Sequence, residues 1–147
     1  MQEAVRAFTA ADAADVAALE SAARAALVDQ RGGPVHLAEH PVVGDWAALA
    51  DRADRAVFVG TLDDVVVGYL ELALRADRTA EVVQVFVDAE ARELGLGDAL
   101  LSSAIEHARM CGCAAIEGTA LPGDRLTKNL YERAGITARR ITVWKAL

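Results

Sequence analysis

Apolar and polar residues follow two different periods along the chain, and each change of period marks a predicted element. In the middle of the chain, valine-rich runs of β-type patterning predict three strands, at residues 56–61, 65–74 and 80–88. Asp63 and Asp64 lie between the first two runs and predict a tight turn. The three strands are therefore expected to form an antiparallel meander.

Helical spacing of apolar residues occurs on both sides of this meander. Apolar residues recur every three to four positions after Thr9, a typical helix N-cap, and again after Gly97. The helix after Gly97 is expected to bury Leu101, Ala104, Ile105 and Ala108. Residues 30–44, rich in Gly, Pro and His, are predicted to form a loop.

The remaining segments complete an α/β order that contains no repeat and no linker. They predict a strand at 5–8, a short helix at 45–52, a strand at 114–119, a helix at 124–134 that Gly135 ends, and a final strand at 141–144. This order of helices and strands predicts one α/β domain at residues 1–147.

Composition narrows the class of protein. The chain has 147 residues, of which 54% are hydrophobic, enough for the core of one domain. No apolar run is long enough to cross a membrane, so a cytoplasmic protein without a membrane partner is expected. The net charge of −7 disfavours nucleic acid as a partner, because phosphate contacts need clustered Lys and Arg. A negative net charge is better matched to a cationic small molecule or to a protein amino group as the partner.

The most specific signal is a strand that passes through a glycine-containing turn into a helix. The strand ends in Val85, Phe86 and Val87, and the turn contains Arg92, with Gly95 and Gly97 after it. Glycines allow a sharp turn and a close approach of the backbone to a ligand, and free N–H groups at a helix start favour an anion. This pattern predicts a phosphate-binding turn.

At these residues the chain resembles the GNAT N-acetyltransferase superfamily, whose core motif reads Arg/Gln-x-x-Gly-x-Gly/Ala. Arg92, Gly95 and Gly97 fill every defined position of it. Downstream, residues 129–136 read Asn-Leu-Tyr-Glu-Arg-Ala-Gly-Ile and are similar to the family's Leu-Tyr-Glu-x-x-Gly-Phe segment. The resemblance implies a mixed, mostly antiparallel central sheet flanked by helices. Its fourth and fifth strands would splay apart to admit the pantetheine arm of acetyl-CoA.

The chain departs from the family pattern at four positions. Glu93 stands where Gly commonly follows the Arg, and Ala89, Asp124 and Ile136 stand where Pro, Asn and Phe are usual. None of these removes a backbone donor. Glu93, however, would bring an acid close to the expected phosphates.

What the resemblance implies is transfer of an acetyl group from acetyl-CoA to a primary amine by direct attack, without a metal. Acetyl-CoA would be bound by Val85, Phe86, Val87, Arg92, Glu93, Leu94, Gly95, Leu96, Gly97 and Asp98. Tyr131 occupies the family's general-acid position, where a phenol returns a proton to the leaving thiolate. Glu81 resembles the catalytic base of the histone-acetylating branch, and Gln84 and Glu71 lie on strands near the same cleft.

Three other interpretations stay open at this point. A non-catalytic acyl-CoA-binding module would keep the turn but close the acceptor cleft. A dinucleotide site needs a third glycine, where this chain has Leu100. The sequence from His36 to His40 matches the H-x-x-E-H pattern of a zinc protease, yet it lies between two prolines with no obvious third ligand. The acceptor, the length of the acyl chain and homodimerisation are left open.

Overall fold

Five strands form one sheet in the computed structural model, which describes residues 1–147. They are β1 (Glu3–Ala7), β2 (Arg55–Leu62), β3 (Val65–Leu74), β4 (Thr79–Val87) and β5 (Ala115–Gly118), adjacent in that order. The first four pair antiparallel, and β4 pairs parallel with β5. Asp63 and Asp64 join β2 to β3 with φ of 48° and 68°, the conformation of a tight hairpin turn. The predicted mixed, mostly antiparallel sheet is confirmed.

Five α-helices accompany the sheet. They are α1 (Ala13–Leu27), α2 (Gly33–Glu39), α3 (Trp46–Ala50), α4 (Leu96–Met110) and α5 (Arg125–Arg133). The prediction of a loop at residues 30–44 is wrong, because α2 lies within it. Pro34 suits the first turn of a helix, and Gly33 is required there because a Cβ atom would overlap the carbonyl group of Leu27. None of these helices combines the length and the hydropathy that a membrane crossing needs.

Each face of the sheet has its own core. On one face, Leu70 and Leu72 of β3 pack against Leu100, Leu101 and further residues of α4. On the opposite face, the alternate β3 residue Tyr69 packs with the residues of α1, α3 and β2, namely Val16, Leu19, Trp46, Val57 and Val59. This division follows from the alternation of side chains along a strand. Strand β4 lies between β3 and β5 in this sheet.

The fourth and fifth strands separate after a short ladder. The β4–β5 pairing ends at Val82 and Gly118, whereas β4 continues to Val87 paired only with β3. The β3–β4 register shifts between Glu71 and Leu72, so Val83 has no partner and forms a bulge. The splayed strands implied by the family resemblance are therefore present.

The predicted final strand at residues 141–144 is wrong. Residues beyond Ala134 form no helix or strand, and Ile141, Val143 and Trp144 are exposed. Their composition favours a strand, but a strand persists only when its backbone pairs with a neighbour, and β5 receives no such partner. The segment contacts the sheet through an ion pair between Arg139 and Glu117, at 3.9 Å.

Candidate active site

A cleft of about 1400 Å³ runs from the start of α4, along the free edge of β4, to the wall made by α1 and α2. It collects most residues that the sequence singled out for binding or catalysis. The predicted site residues that line it are Val85, Phe86, Val87, Arg92, Glu93, Gly95, Leu96, Gly97, Asp98 and Tyr131. Leu94 and Glu81 do not line it.

The free edge of β4 offers backbone groups to the cleft. Asp88 N donates to Val67 O at 2.8 Å across the β3–β4 ladder, while Val87 O points the other way and accepts from Arg92 Nε at 3.0 Å. In an antiparallel strand, the N–H and C=O of one residue point to the same side and alternate from residue to residue. Val85 and Val87 therefore direct their N–H groups to the side that β5 has left, where an extended ligand can accept from them.

The turn before α4 is held in a specific backbone conformation. Gly95 caps the helix with a φ of 80°, and Glu93 adopts a φ of 72°, which is uncommon for a residue other than glycine. No side chain caps the first turn of α4, so its free N–H groups remain available for an anion. Arg92 lies over the ring of Phe86, 5.5 Å from its centroid, at the mouth of this turn. The arrangement suits a phosphate group.

Gly97 lines the cleft from the first turn of α4 and also faces α5. It lies inside α4, and a Cβ atom there would be 3.4 Å from Leu130 Cδ1. At that distance a Cβ atom would make an ordinary van der Waals contact, while the sharp turn depends on the positive φ of Gly95. Asp98, in the same first turn, is paired with Arg133 of α5 at 2.9 Å.

Two arginines of α5 line the cleft but were not predicted from the sequence. Arg125 and Arg133 both line the cleft, and Arg133 neutralises part of the charge of Asp98 in the first turn of α4. They belong to a short polar helix whose position against α4 is a tertiary feature. The sequence gives no local signal that pairs them with the turn at Arg92.

Tyr131 is held at the point where β4 and β5 separate. Its side chain is buried, and its hydroxyl lies against Gly118, where a Cβ atom would overlap it. Burial raises the pKa of the Tyr131 phenol, with a further increase from the carboxylates of Asp124 and Glu81. The hydroxyl donates no hydrogen bond within the protein. Tyr131 is thus a protonated group facing the cleft, and Gly118, which contacts its hydroxyl, was not singled out from the sequence.

Glu81 lies apart from the cleft, in a cluster of charged side chains. Its Oε1 atom is 3.1 Å from Arg75 Nη1, and the same guanidinium pairs with Glu117 at 2.8 Å. Glu117 faces Glu81 in the register of β4 and β5. The structure therefore places Glu81 in an ion-pair network outside the lining of the cleft, yet near enough to Tyr131 for its charge to raise the pKa of that phenol.

Another carboxyl group does line the cleft. Glu71 is 3% exposed, and its Oε1 atom accepts from Gln84 Nε2 at 2.9 Å. The same amide donates to Glu20 at 3.2 Å and accepts from the Tyr69 hydroxyl at 2.6 Å. Burial raises the pKa of Glu71, while the Gln84 hydrogen bond and the charge of Arg55 oppose that rise. Gln84, Glu71 and Tyr69 all face the cleft.

The far wall of the cleft is formed by α1 and α2. Arg24 fixes the two helices together by donating to the carbonyl groups of Leu37 and His40. The rings of His36 and His40 stack with centroids 4.2 Å apart, and burial lowers the pKa of His36. No third His, Cys, Asp or Glu joins this pair in a group that could hold a metal ion. The pair thus forms part of a wall of the cleft.

Comparison with known proteins identifies a family. The model of the acetyltransferase (GNAT) family matches residues 20–136. The mycothiol acetyltransferase of Thermomonospora curvata is 30% identical over 114 residues, which cover 72% of this chain and 38% of that protein. The chain therefore spans less than half of the length of this curated relative.

Solved structures share the fold. A mutant protein from Bacillus halodurans matches with a TM-score of 0.81 and 18% identity, over 98% of this chain and 99% of that one. AAC(6')-Iy in complex with the bisubstrate analogue CoA-S-monomethyl-acetylneamine matches with a TM-score of 0.73 and 16% identity, over 100% of both chains. At these identities the likeness establishes the fold alone.

Proposed function

The chain belongs to the acetyltransferase (GNAT) family, and we propose that it transfers the acetyl group of acetyl-CoA to a primary amine of a small molecule or a protein. The observation that carries this proposal is the free edge of β4, which lies between an anion-binding turn and a protonated tyrosine. Within one cleft it combines a place for phosphate, a row of backbone donors and a proton donor.

Binding of acetyl-CoA follows from the two ends of this arrangement. The pyrophosphate is bound at the start of α4, where free N–H groups, the helix dipole and Arg92 attract negative charge. The pantetheine arm extends along β4 and accepts hydrogen bonds from Val85 and Val87. Leu94, which does not line the cleft, contributes its backbone to the turn.

Backbone and side-chain groups of the protein then assist the transfer of the acetyl group. Bound acetyl-CoA supplies a thioester, and a backbone N–H of β4 polarises its carbonyl group. Tyr131 supplies a proton to the departing sulfur, for which its protonated state at neutral pH is suited. Glu81 as the proton acceptor stays a prediction, and its ion pair with Arg75 and its place outside the cleft lining argue against it.

We further propose that residues 1–147 act as one acetyltransferase domain. Both cores are built on the same sheet, and the cleft is lined by elements from α1 to α5. Because acetyl-CoA is an intracellular metabolite, the proposed activity implies a cytoplasmic location.

The first experiment separates binding from turnover. Arg92→Ala should weaken CoA binding by about tenfold or more, since a charge-assisted hydrogen bond contributes about 1.5–3 kcal/mol. Arg109→Ala, on the exposed far end of α4, is the matched control and should leave CoA binding unchanged. Thermal shift with CoA and thiol release from acetyl-CoA with an amine panel are the readouts.

The outcomes distinguish the proposed enzyme from a regulatory module. Thiol release that depends on an added amine supports N-acetyl transfer. CoA-dependent stabilisation with no thiol release for any amine would favour a non-catalytic acyl-CoA-binding module. Equal CoA stabilisation of the wild type and Arg92→Ala would show that the phosphate site is elsewhere.

A further inference from the structure

Glu71 is a buried carboxylate of β3 that lines the cleft, and β3 pairs with the edge of β4 opposite its free edge. We propose that Glu71 accepts the proton of the acceptor's ammonium group and that the acceptor is a single amine carried on an apolar body. The proposal rests on the N-acetyltransferase function proposed above and names the base and acceptor class for that same site.

The position of Glu71 follows from the register of the sheet. Glu71 of β3 lies opposite Gln84 of β4, and Gln84 directly precedes Val85, the first of the two residues that direct N–H groups to the cleft. Glu71, Val85 and Val87 line the same cleft, so an amine that reaches a carbonyl group bound at Val85 or Val87 enters the space that Glu71 lines. Glu81 is three residues further back on β4 and is paired with Arg75.

Hydrogen bonding holds one oxygen of Glu71 and leaves the other available. Gln84 accepts from Tyr69, which turns its Nε2 atom towards the carboxylates, and Nε2 donates to Glu71 Oε1 at 2.9 Å. The second oxygen, Oε2, is 3.5 Å from Arg55 Nε, and that Nε atom has no hydrogen-bond partner. A separation of 3.5 Å is an ion pair without a hydrogen bond. Oε2 thus keeps the capacity to accept a proton from a ligand.

The charges around Glu71 favour one cation in the cleft. Glu20 and Glu71 are both buried and share the amide of Gln84. The guanidinium paired with Glu71, that of Arg55, also pairs with Asp54 at 3.1 Å. Glu20 accepts one further hydrogen bond, from Val43 N at 3.3 Å. Buried negative charge without full compensation is costly, so an incoming ammonium group is attracted. The nearby charge of Glu20 also raises the pKa of Glu71, which makes it a stronger base than a surface carboxylate.

The rest of the acceptor end is unsuited to a polycation. Its α1–α2 wall contributes four apolar side chains, together with one arginine, one histidine and one glutamate, namely Ala23, Ala26, Leu27, Leu37, Arg24, His36 and Glu39. Glu39 is the acid of this wall, whereas Glu71 lies on β3, and Arg24 adds a positive charge to the same wall. A molecule with several ammonium groups needs several carboxylates, whereas an apolar amine needs one.

The proposed step balances protons. The ammonium group gives one proton to Glu71 Oε2, and the neutral nitrogen forms the new C–N bond as the C–S bond breaks. Tyr131 protonates the departing sulfur, and the second proton of the attacking nitrogen replaces the one that Tyr131 has given. Glu71 then releases its proton to solvent, so that the products are the acetylated amine, CoA with a free thiol and one proton.

The test uses 2-phenylethylamine as the apolar monoamine and kanamycin as the polycation. Glu71→Gln should lower kcat/KM for 2-phenylethylamine at pH 7 by about 100-fold or more, the usual contribution of a general base, and should recover in part near pH 10, where free amine is abundant. CoA-induced thermal stabilisation should be unchanged. Glu106→Gln, an exposed carboxyl on α4, is the matched control and should keep wild-type kinetics.

Glu20→Gln tests the positioning role of the second carboxylate. Removing its negative charge lowers the pKa of Glu71, so the acidic limb of the pH–rate profile should move to lower pH with a small change in maximal rate. A purely structural role for Glu20 would leave that limb in place.

Each of the other outcomes overturns one part of the proposal. An unchanged pH profile in Glu71→Gln, or loss of the acidic limb in Glu81→Gln instead, removes Glu71 as the base while N-acetyl transfer stands. Faster turnover of kanamycin than of 2-phenylethylamine overturns the acceptor class alone. If the protein binds CoA but releases no thiol with either amine, this inference is overturned, and the result counts against the proposed function as well.

Discussion

The hydroxyl of Tyr131 fills the space that a side chain at Gly118 would occupy. Gly118 is the last residue of β5 and pairs with Val82, where β4 and β5 begin to separate. One glycine thus allows the phenol to sit at the opening of the splayed strands. This contact joins the sheet topology to the proposed chemistry.

Gly118→Ala should displace Tyr131 and lower both stability and turnover. The added methyl group overlaps the hydroxyl and the ring carbon that bears it, and overpacking of this kind costs about 1–3 kcal/mol. Thermal unfolding and thiol release measure the two effects. Gly44→Ala, where a Cβ atom meets nothing within 4 Å, is the control. A fully active Gly118→Ala variant would contradict the proposed position of the phenol.

Tyr131→Phe should lower turnover while acetyl-CoA affinity stays close to that of the wild type. The substitution keeps the buried ring against the α4 core and removes only the proton donor. General acid catalysis contributes about 100-fold to 10,000-fold, so a large loss of kcat is expected if thiolate departure limits the rate. Wild-type turnover at saturating amine would make Tyr131 a packing residue.

Glu93→Gly should increase both stability and CoA affinity. Glu93 has a φ of 72°, and a left-handed conformation costs a residue other than glycine about 1 kcal/mol. The change also removes a negative charge from the phosphate-binding turn. Glu93→Gln separates the two effects, since it removes the charge and keeps the strained backbone. Thermal unfolding should improve only with Gly, whereas CoA affinity should improve with both variants.

Asp12 should make the protein less stable in acid. It accepts from Arg6 at 2.8 Å and from Thr9 N at 2.8 Å, and these hydrogen bonds lower the pKa of the Asp12 carboxyl to about 2. A folded-state pKa below the unfolded value of about 3.9 stabilises the protein above pH 4, and this stabilisation is lost as the pH falls towards 2.

The expected size of the Asp12 effect is modest. Because Arg6 is half-exposed, solvent screens part of the pair, and about 1–2 kcal/mol is expected. Asp12→Asn should remove this part of the acid dependence, measured as the free energy of unfolding between pH 5 and pH 2. Equal slopes for the wild type and Asp12→Asn would assign the acid sensitivity to other carboxyl groups.

Local sequence signals determined much of this structure. Strand β3 spans Val65–Leu74, as predicted, because alternation and a turn at two aspartates specify a hairpin without distant contacts. Asp124 caps α5 by accepting from Thr127 N, again a local interaction. The turn from Arg92 to Gly95 could likewise be recognised, because a backbone with positive φ before a helix favours glycine, which is visible in the local sequence.

Tertiary structure alone decided which segments pair and which acid faces the cleft. The segment at 141–144 has the composition of a strand but no partner, and pairing is not encoded in a segment by itself. Glu81 and Glu71 both lie on strands of one sheet, and sequence reasoning had no means to choose between them. The unpaired Val83 places Gln84 opposite Glu71, because one extra residue in a strand reverses the facing of all that follow. That bulge depends on the register of two strands, and so the carboxylate network of the cleft appears only in the folded chain.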